Sequence, residues 1–270
     1  MNDSERPMNP SDDRKSDRPV AIVSGAARGI GLGIARALAC TGHRVALADL
    51  DADGAAASAV GLPDAIGVPL DVADLDSWLA AVAAVVARWG RVDVLVNNAG
   101  IFPRGTAEST DLALWERTMA INLRGPWLGI KACLPELRRS RGAIINIGSS
   151  RSTRPLRGLF AYVVSKAGLL GLTQQVAIEY LADGIACNMV APGWTDTPGE
   201  RDMQTSLGRP DFPAGIDNLT TPDEVGAAVA YLASPAGRRA NGTIIYVDSG
   251  YHVAEDSAMV HQPGSPPFQA

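Results

Sequence analysis

The chain of 270 residues carries 24 Lys and Arg against 29 Asp and Glu, giving a formal net charge of −5, and 46% of it is hydrophobic. That length suits one large α/β domain or two small ones and is ample for a sizeable core, and scattered arginines in a mildly acidic chain do not make a nucleic-acid-binding surface. No apolar run approaches the roughly 18 residues of a membrane span, and Cys40, Cys133 and Cys187 are spaced for neither disulfides nor a zinc knuckle, which makes the cytoplasm the expected location. Residues 1–18 mix Asp, Arg, Ser and Pro without an apolar stretch and read as a disordered tail, not a signal peptide.

From Pro19 onward, short β-branched runs alternate with longer helical patterns, the mark of βαβ units on a parallel sheet. Strands are expected at Val20–Val23, Arg44–Ala48, Ala65–Leu70, Val92–Val96, Ala143–Ile147, Ile185–Val190 and Ile244–Val247. Helices are expected at Ile30–Cys40, Asp74–Trp89, Leu112–Leu137, Ala161–Leu181 and Pro222–Leu232, the last with Thr221 as N-cap and Pro222 at its first position. The fold class is therefore α/β: a single doubly wound Rossmann-type domain over 19–250, its seven-stranded parallel sheet flanked by helices. Ala191–Thr220, rich in Pro, Gly, Asp and Thr, is the one long irregular interval, the kind that is either an active-site lid or a disordered excursion. Residues 251–270 form a C-terminal tail.

The first strand runs directly into Ser24-Gly25-Ala26-Ala27-Arg28-Gly29-Ile30-Gly31, with glycines spaced G-x-x-x-G-x-G before a helix. Such a turn lets backbone N–H groups and a helix N-terminus approach a pyrophosphate. Asp49 ends the second strand, near the separation of about 20 residues at which a carboxylate binds the adenosine ribose and repels a 2′-phosphate. The implied cofactor is NAD. Arg28 argues the other way, since a guanidinium inside the turn pairs readily with a 2′-phosphate.

Lysine is scarce: only Lys15, Lys131 and Lys166 occur. One of them stands four residues after Tyr162, and on a helix that spacing puts ammonium and phenol on one face. A neighbouring cation favours the phenolate and brings tyrosine toward acid/base use near neutrality. His43, His252 and His261 have no zinc-ligand spacing and form no hydrolase pattern with a serine, so no metal is expected.

From Arg18 to Gly250 the chain resembles a classical short-chain dehydrogenase/reductase. The likeness rests on Ser24–Gly31, Asp71-Val72, Asn97-Asn98-Ala99-Gly100, Asn122, Ser149, Tyr162-x-x-x-Lys166, Pro192-Gly193 and Thr197. Two departures are small: Ser24 stands where threonine is usual, and Asp248-Ser249-Gly250 where Asp-Gly-Gly is usual. The resemblance implies a catalytic tetrad of Asn122, Ser149, Tyr162 and Lys166, with Ser150 as the competing serine. Tyr162 would be the acid/base, Lys166 would lower its pKa and bind the nicotinamide ribose, and Asn122 would hold a proton-relaying water. The glycine turn with Ile30, Asp49 and Leu50 would hold the adenosine diphosphate, Asp71 and Val72 the adenine, and Asn98, Ala99 and Gly100 the cleft. Pro192, Gly193, Thr195 and Thr197 would lie along the nicotinamide.

In similar enzymes the segments bearing Arg104, Arg151, Arg154 and Arg157 flank the substrate, and Trp194 follows Pro192-Gly193. Arginine's planar fork suits carboxylate, sulfonate or phosphate, which points to a small polar substrate such as a sugar, sugar acid, sulfonated sugar or hydroxy acid. The expected activity is NAD-dependent interconversion of a secondary alcohol and a carbonyl. An NADPH-dependent 3-oxoacyl-type reductase, disfavoured by Asp49, and a non-catalytic cofactor-binding regulator are the alternatives. A homotetramer is the expected assembly, with Tyr251, His252, Met259 and Phe268 anchoring the tail on a neighbouring subunit.

Overall fold

The computed structural model describes residues 18–206, 208 and 219–253. The tail expectations that fall on 1–17 and 254–270, Met259, His261 and Phe268 among them, lie outside the described residues. Strands β1 (Val20–Ser24), β2 (Arg44–Asp49), β3 (Ala65–Pro69), β4 (Val94–Asn97), β5 (Ala143–Ile147), β6 (Ala186–Pro192) and β7 (Ile244–Val247) make one sheet in the order β3-β2-β1-β4-β5-β6-β7. Every pairing is parallel.

Between the strands run α1 (Gly29–Cys40), α2 (Ala52–Val60), α3 (Leu75–Trp89), α4 (Leu112–Met119), α5 (Gly125–Ser140), α6 (Phe160–Glu179), α7 (Pro198–Ser206) and α8 (Pro222–Ala233). A parallel sheet covered on both sides needs apolar residues on both faces of each strand, and all five residues of β1 are buried. Val20 and Ile22 join Trp78, Leu95, Leu137 and Ile144 beneath α3, α5 and α6. Ala21 and Val23 turn the other way, onto Ile34 and Leu38 of α1 and Val229 and Leu232 of α8.

Three elements depart from expectation. Helix α2 is present where none was read: it is mostly alanine and glycine, it buries only Ala55 and Ala59, and the Asp51 carboxylate caps it by accepting from the Gly54 N–H. Helix α7 interrupts the interval expected to be irregular. Its first turn is fixed by Thr197, whose Oγ1 accepts the Glu200 N–H at 3.1 Å, with Pro198 at the first helical position.

The expected helix Leu112–Leu137 is divided by a π-helical turn, Ala120–Arg124, in which the Gly125 N–H reaches back five residues to the Ala120 carbonyl. The cause is Pro126. It has no N–H for the carbonyl four residues earlier, that of Asn122, and its ring crowds that position. Widening the turn resolves the clash and turns Asn122 inward, where it is fully buried.

Trp78 is the largest fully buried side chain, and its Nε1–H donates to the Val72 carbonyl at 3.1 Å, so one residue fills the core under α3 and fixes the loop after β3. Trp78→Ala is expected to lower unfolding stability by about 3–5 kcal/mol, read as a lower urea midpoint at unchanged m-value.

Candidate active site

Strand order reverses between β1 and β4, and the crevice at their carboxyl ends is where an open α/β sheet binds ligands. The Ser24 hydroxyl spans the break: its Oγ accepts the N–H groups of Asn98 and Ala99 at 3.0 and 3.1 Å. Asn98 answers by donating Nδ2 to the carbonyls of Ser24 and Gly25, both at 2.9 Å. This brings the chains so close that a Cβ on Gly25 would sit 2.8 Å from Ala99 Cα, and one on Gly31 would sit 2.1 Å from the Gly25 carbonyl oxygen. Gly25 and Gly29 both have positive φ. The N-terminus of α1 carries no side-chain cap and no acidic residue in its first turn, which leaves its N–H groups and dipole for an anion.

Beside this turn the Asp49 carboxylate accepts the Ala27 N–H at 2.9 Å and the Asp51 N–H at 3.0 Å. Leu50 next to it is exposed. Asp71 is exposed with Oδ1 bonded to the Ala73 N–H, and Val72 is buried against the start of α5. Backbone N–H groups and a carboxylate thus stand side by side at the carboxyl end of β1 and β2.

A cleft of about 740 Å³ opens from Ile30 and Asn98 across the ends of β4, β5 and β6, and its walls include Ser149, Tyr162, Lys166, Pro192, Gly193, Thr195 and Thr197. Ser149 caps a 3-10 turn, Ser150–Ser152, by accepting the Arg151 N–H at 3.1 Å. The same hydroxyl lies beside the Tyr162 phenol, close enough to favour the phenolate. Ser150 also lines the cleft, but the effect on the phenol distinguishes Ser149. Phe102 meets the Tyr162 ring edge-on at 4.6 Å.

Lys166 lies one turn beyond Tyr162, its Nζ 5.9 Å from the phenol ring centre and donating to the Ile147 carbonyl at 2.8 Å. Burial pushes its pKa down to about 8. Burial also raises the pKa of Tyr162, while the Ser149 hydroxyl and the Arg151 guanidinium lower it and the Glu200 carboxylate raises it. The Lys166 ammonium donates to a backbone carbonyl, and the Arg151 guanidinium is a cation that favours the phenolate.

The Asn122 amide is spent on its neighbours: Oδ1 accepts the Ile101 N–H, and Nδ2 donates to the Ile101 carbonyl and to Ser165 Oγ. Its side chain clamps the loop after β4.

The four arginines separate. Arg104 and Arg151 line the cleft; Arg154 and Arg157 do not. Arg151 lies 4.3 Å from the ring centre of Tyr251, and Arg154 donates to the Tyr251 carbonyl at 2.6 Å. Tyr251, expected to reach a neighbouring subunit, packs on its own chain as a wall of the cleft. His252 beside it is held by Asp248 at 3.0 Å. Trp194 lines the cleft and donates Nε1–H to Glu200.

Phe102, Glu200, Met203 and Gln204 are further wall residues that the sequence reading missed. A signal for three of them was present: Thr197-Pro198-Gly199-Glu200 has the same cap-and-proline pattern as Thr221-Pro222-Asp223-Glu224. Among the described residues no group of three or more His, Cys, Asp and Glu side chains could hold a metal ion, and no helix is long and apolar enough to cross a membrane.

A family model described as enoyl-(acyl carrier protein) reductase matches residues 25–252. Trans-4-hydroxycyclohexanecarboxylate dehydrogenase of Sinomonas cyclohexanicum is 39% identical over 250 residues, 88% of this chain and 95% of that protein. D-threitol dehydrogenase of Mycolicibacterium smegmatis is 38% identical over 256 residues, 89% and 95% of the two chains. Among solved structures, a point variant of actinorhodin polyketide ketoreductase with NADPH superposes with a TM-score of 0.82 at 32% identity, covering 88% of this chain and 99% of that one. The chain belongs to the classical short-chain dehydrogenase/reductase family. As such it is an oxidoreductase acting on CH–OH groups.

Arg151→Ala removes the cation that lowers the Tyr162 pKa, so the pH profile of kcat/KM for alcohol oxidation should move to higher pH. Lys166 makes a second prediction. Its pKa is about 8 folded against 10.5 unperturbed, so the folded protein binds fewer protons in that window and stability rises with pH across it. Below about pH 8 the buried ammonium costs on the order of 3 kcal/mol. The stability of Lys166→Met relative to wild type, both without cofactor, should therefore fall by about 3 kcal/mol between about pH 7 and pH 10.5, measured by urea unfolding.

Proposed function

We propose that the protein is an NAD-dependent dehydrogenase interconverting a secondary alcohol and a carbonyl on a small polar substrate. The observation that carries the coenzyme choice is the Asp49 carboxylate, pinned by two backbone N–H groups beside the glycine turn. A carboxylate fixed there accepts the ribose hydroxyls and repels a 2′-phosphate. The turn Ser24–Gly31 and the N-terminus of α1 bind the pyrophosphate, Asp71 and Val72 flank the adenine, and Asn98, Ala99 and Gly100 floor the cleft. Pro192, Gly193, Thr195 and Thr197 hold the carboxamide end, and Lys166 binds the adjoining ribose.

A bound nicotinamide ring supplies a hydride acceptor or donor. Ser149 Oγ holds the reacting oxygen of the substrate and stabilises the alkoxide that develops on it. Tyr162 Oη takes the hydroxyl proton during oxidation and returns it during reduction. Burial disfavours phenolate, and the Ser149 hydroxyl and Arg151 charge offset part of that penalty. Asn122 positions the loop carrying Ile101 and Phe102, and so the edge of the Tyr162 ring.

The substrate proposed is a polyol or a hydroxy acid. Arg104 at the cleft supplies a guanidinium for a carboxylate, and the two relatives act, by name, on a hydroxylated carboxylate and a tetritol. One observation favours the runner-up, an NADPH-dependent carbonyl reductase: Arg28 sits in the glycine turn with its side chain 68% exposed, 3.6 Å from Asp202 of α7.

Steady-state kinetics with NAD and NADP over a panel of polyols, sugar acids and hydroxy acids test the reading. NAD is expected to give kcat/KM at least about tenfold higher, with Asp49→Ala narrowing the ratio. Greater efficiency with NADP would overturn it.

A further inference from the structure

Helix α7 brings an unsatisfied acceptor to the wall of the cleft. Gln204 is 2% exposed yet lines that wall. Its Nε2 donates to Glu200 Oε1 at 2.8 Å, and the same oxygen receives the Trp194 Nε1–H at 2.7 Å. An ionised carboxylate only accepts, so the amide nitrogen must face Glu200 and the amide oxygen must face away. That oxygen, Oε1, is buried without a hydrogen-bond partner. Among the described residues Asn97 Oδ1 shares the condition, but it lies in the core beside Gly129 under α5. Gln204 Oε1 belongs to a side chain at the cleft.

A buried acceptor left unpaired bears its full desolvation penalty, and a hydroxyl donor from the cleft relieves it once a small turn of the Gln204 side chain uncovers the oxygen. Glu200 adds a second acceptor close by, near enough for its charge to act on Tyr162. Two acceptors on one wall select a ligand that presents hydroxyl donors to it.

We propose that Gln204 Oε1 accepts a hydrogen bond from a substrate hydroxyl other than the one oxidised, making Gln204 a specificity-determining residue for polyhydroxylated alcohols. The inference rests on the dehydrogenase reading and narrows it. A site built to bond a hydroxyl rejects the analogue lacking it, because its own polar groups are then left unpaired.

The test compares wild type, Gln204→Leu and Gln204→Met on matched pairs differing by one hydroxyl: threitol against its mono-deoxy analogue, and a four-carbon dihydroxy acid against the monohydroxy acid. Wild type should prefer the richer member of a pair by about tenfold in kcat/KM. Both variants should lose that preference, the ratio of kcat/KM for the richer member over the deoxy member falling to about one in each. A preference that survives in both variants overturns the inference. So does an equal loss on both members, which marks a structural role, or a wild type indifferent to the extra hydroxyl because water already satisfies the amide. Oxidation of neither member of any pair, with either coenzyme, overturns the dehydrogenase reading itself.

Discussion

The bond network between Ser24 and Asn98 is the constraint on which the site depends. β1 and β4 are neighbours whose connections leave in opposite directions, and without a tie their carboxyl ends would be free to splay. One hydroxyl accepting two backbone N–H groups, and one amide returning two bonds to carbonyls, lock the ends together at 2.9–3.1 Å. With that distance fixed, only hydrogen fits at the α-carbons of Gly25 and Gly31. The glycines follow from the clamp.

Burial then sets the chemistry. Lys166 is buried and Tyr162 half-buried, and each is displaced toward its neutral form. Serine, arginine and glutamate around the phenol act in opposing directions, so its acidity is a balance among three elements: the 3-10 turn bearing Arg151, α6 and α7. Movement of α7 changes the distance from Glu200 to the phenol and alters the balance with no change in the tetrad.

Much of the fold was legible because parallel strands buried on both faces are written as unbroken apolar runs, and all seven appear in the sequence close to their observed bounds. Glycine spacing, Asp49 and the Tyr162–Lys166 interval were legible because each is local. What escaped was non-local or weakly patterned. Alanine-rich α2 buries too little to show a face. Helix α7 is polar throughout, and its Thr197-Pro198 start was hidden in a stretch dominated by turn formers. The partner of Arg151 could not be read either, since Tyr251 is far away in the chain and a guanidinium's neighbours are set by tertiary packing.

The π-helical turn at Ala120–Arg124 amounts to one extra residue wound into a helix. Residues on either side keep their apolar faces on the sheet and on α6 only because that extra residue absorbs the rotation. The region is therefore more exposed to changes of chain length than of side chain. Losing a single residue between Ala120 and Arg124 would swing everything before it by about 100°, as 3.6 residues per turn require. Asn122 would leave Ile101, and α4 would present a different face to its neighbours. In lineages that descend from this chain, insertions and deletions are tolerable in the surface loops, but here the count of residues is itself part of the active site.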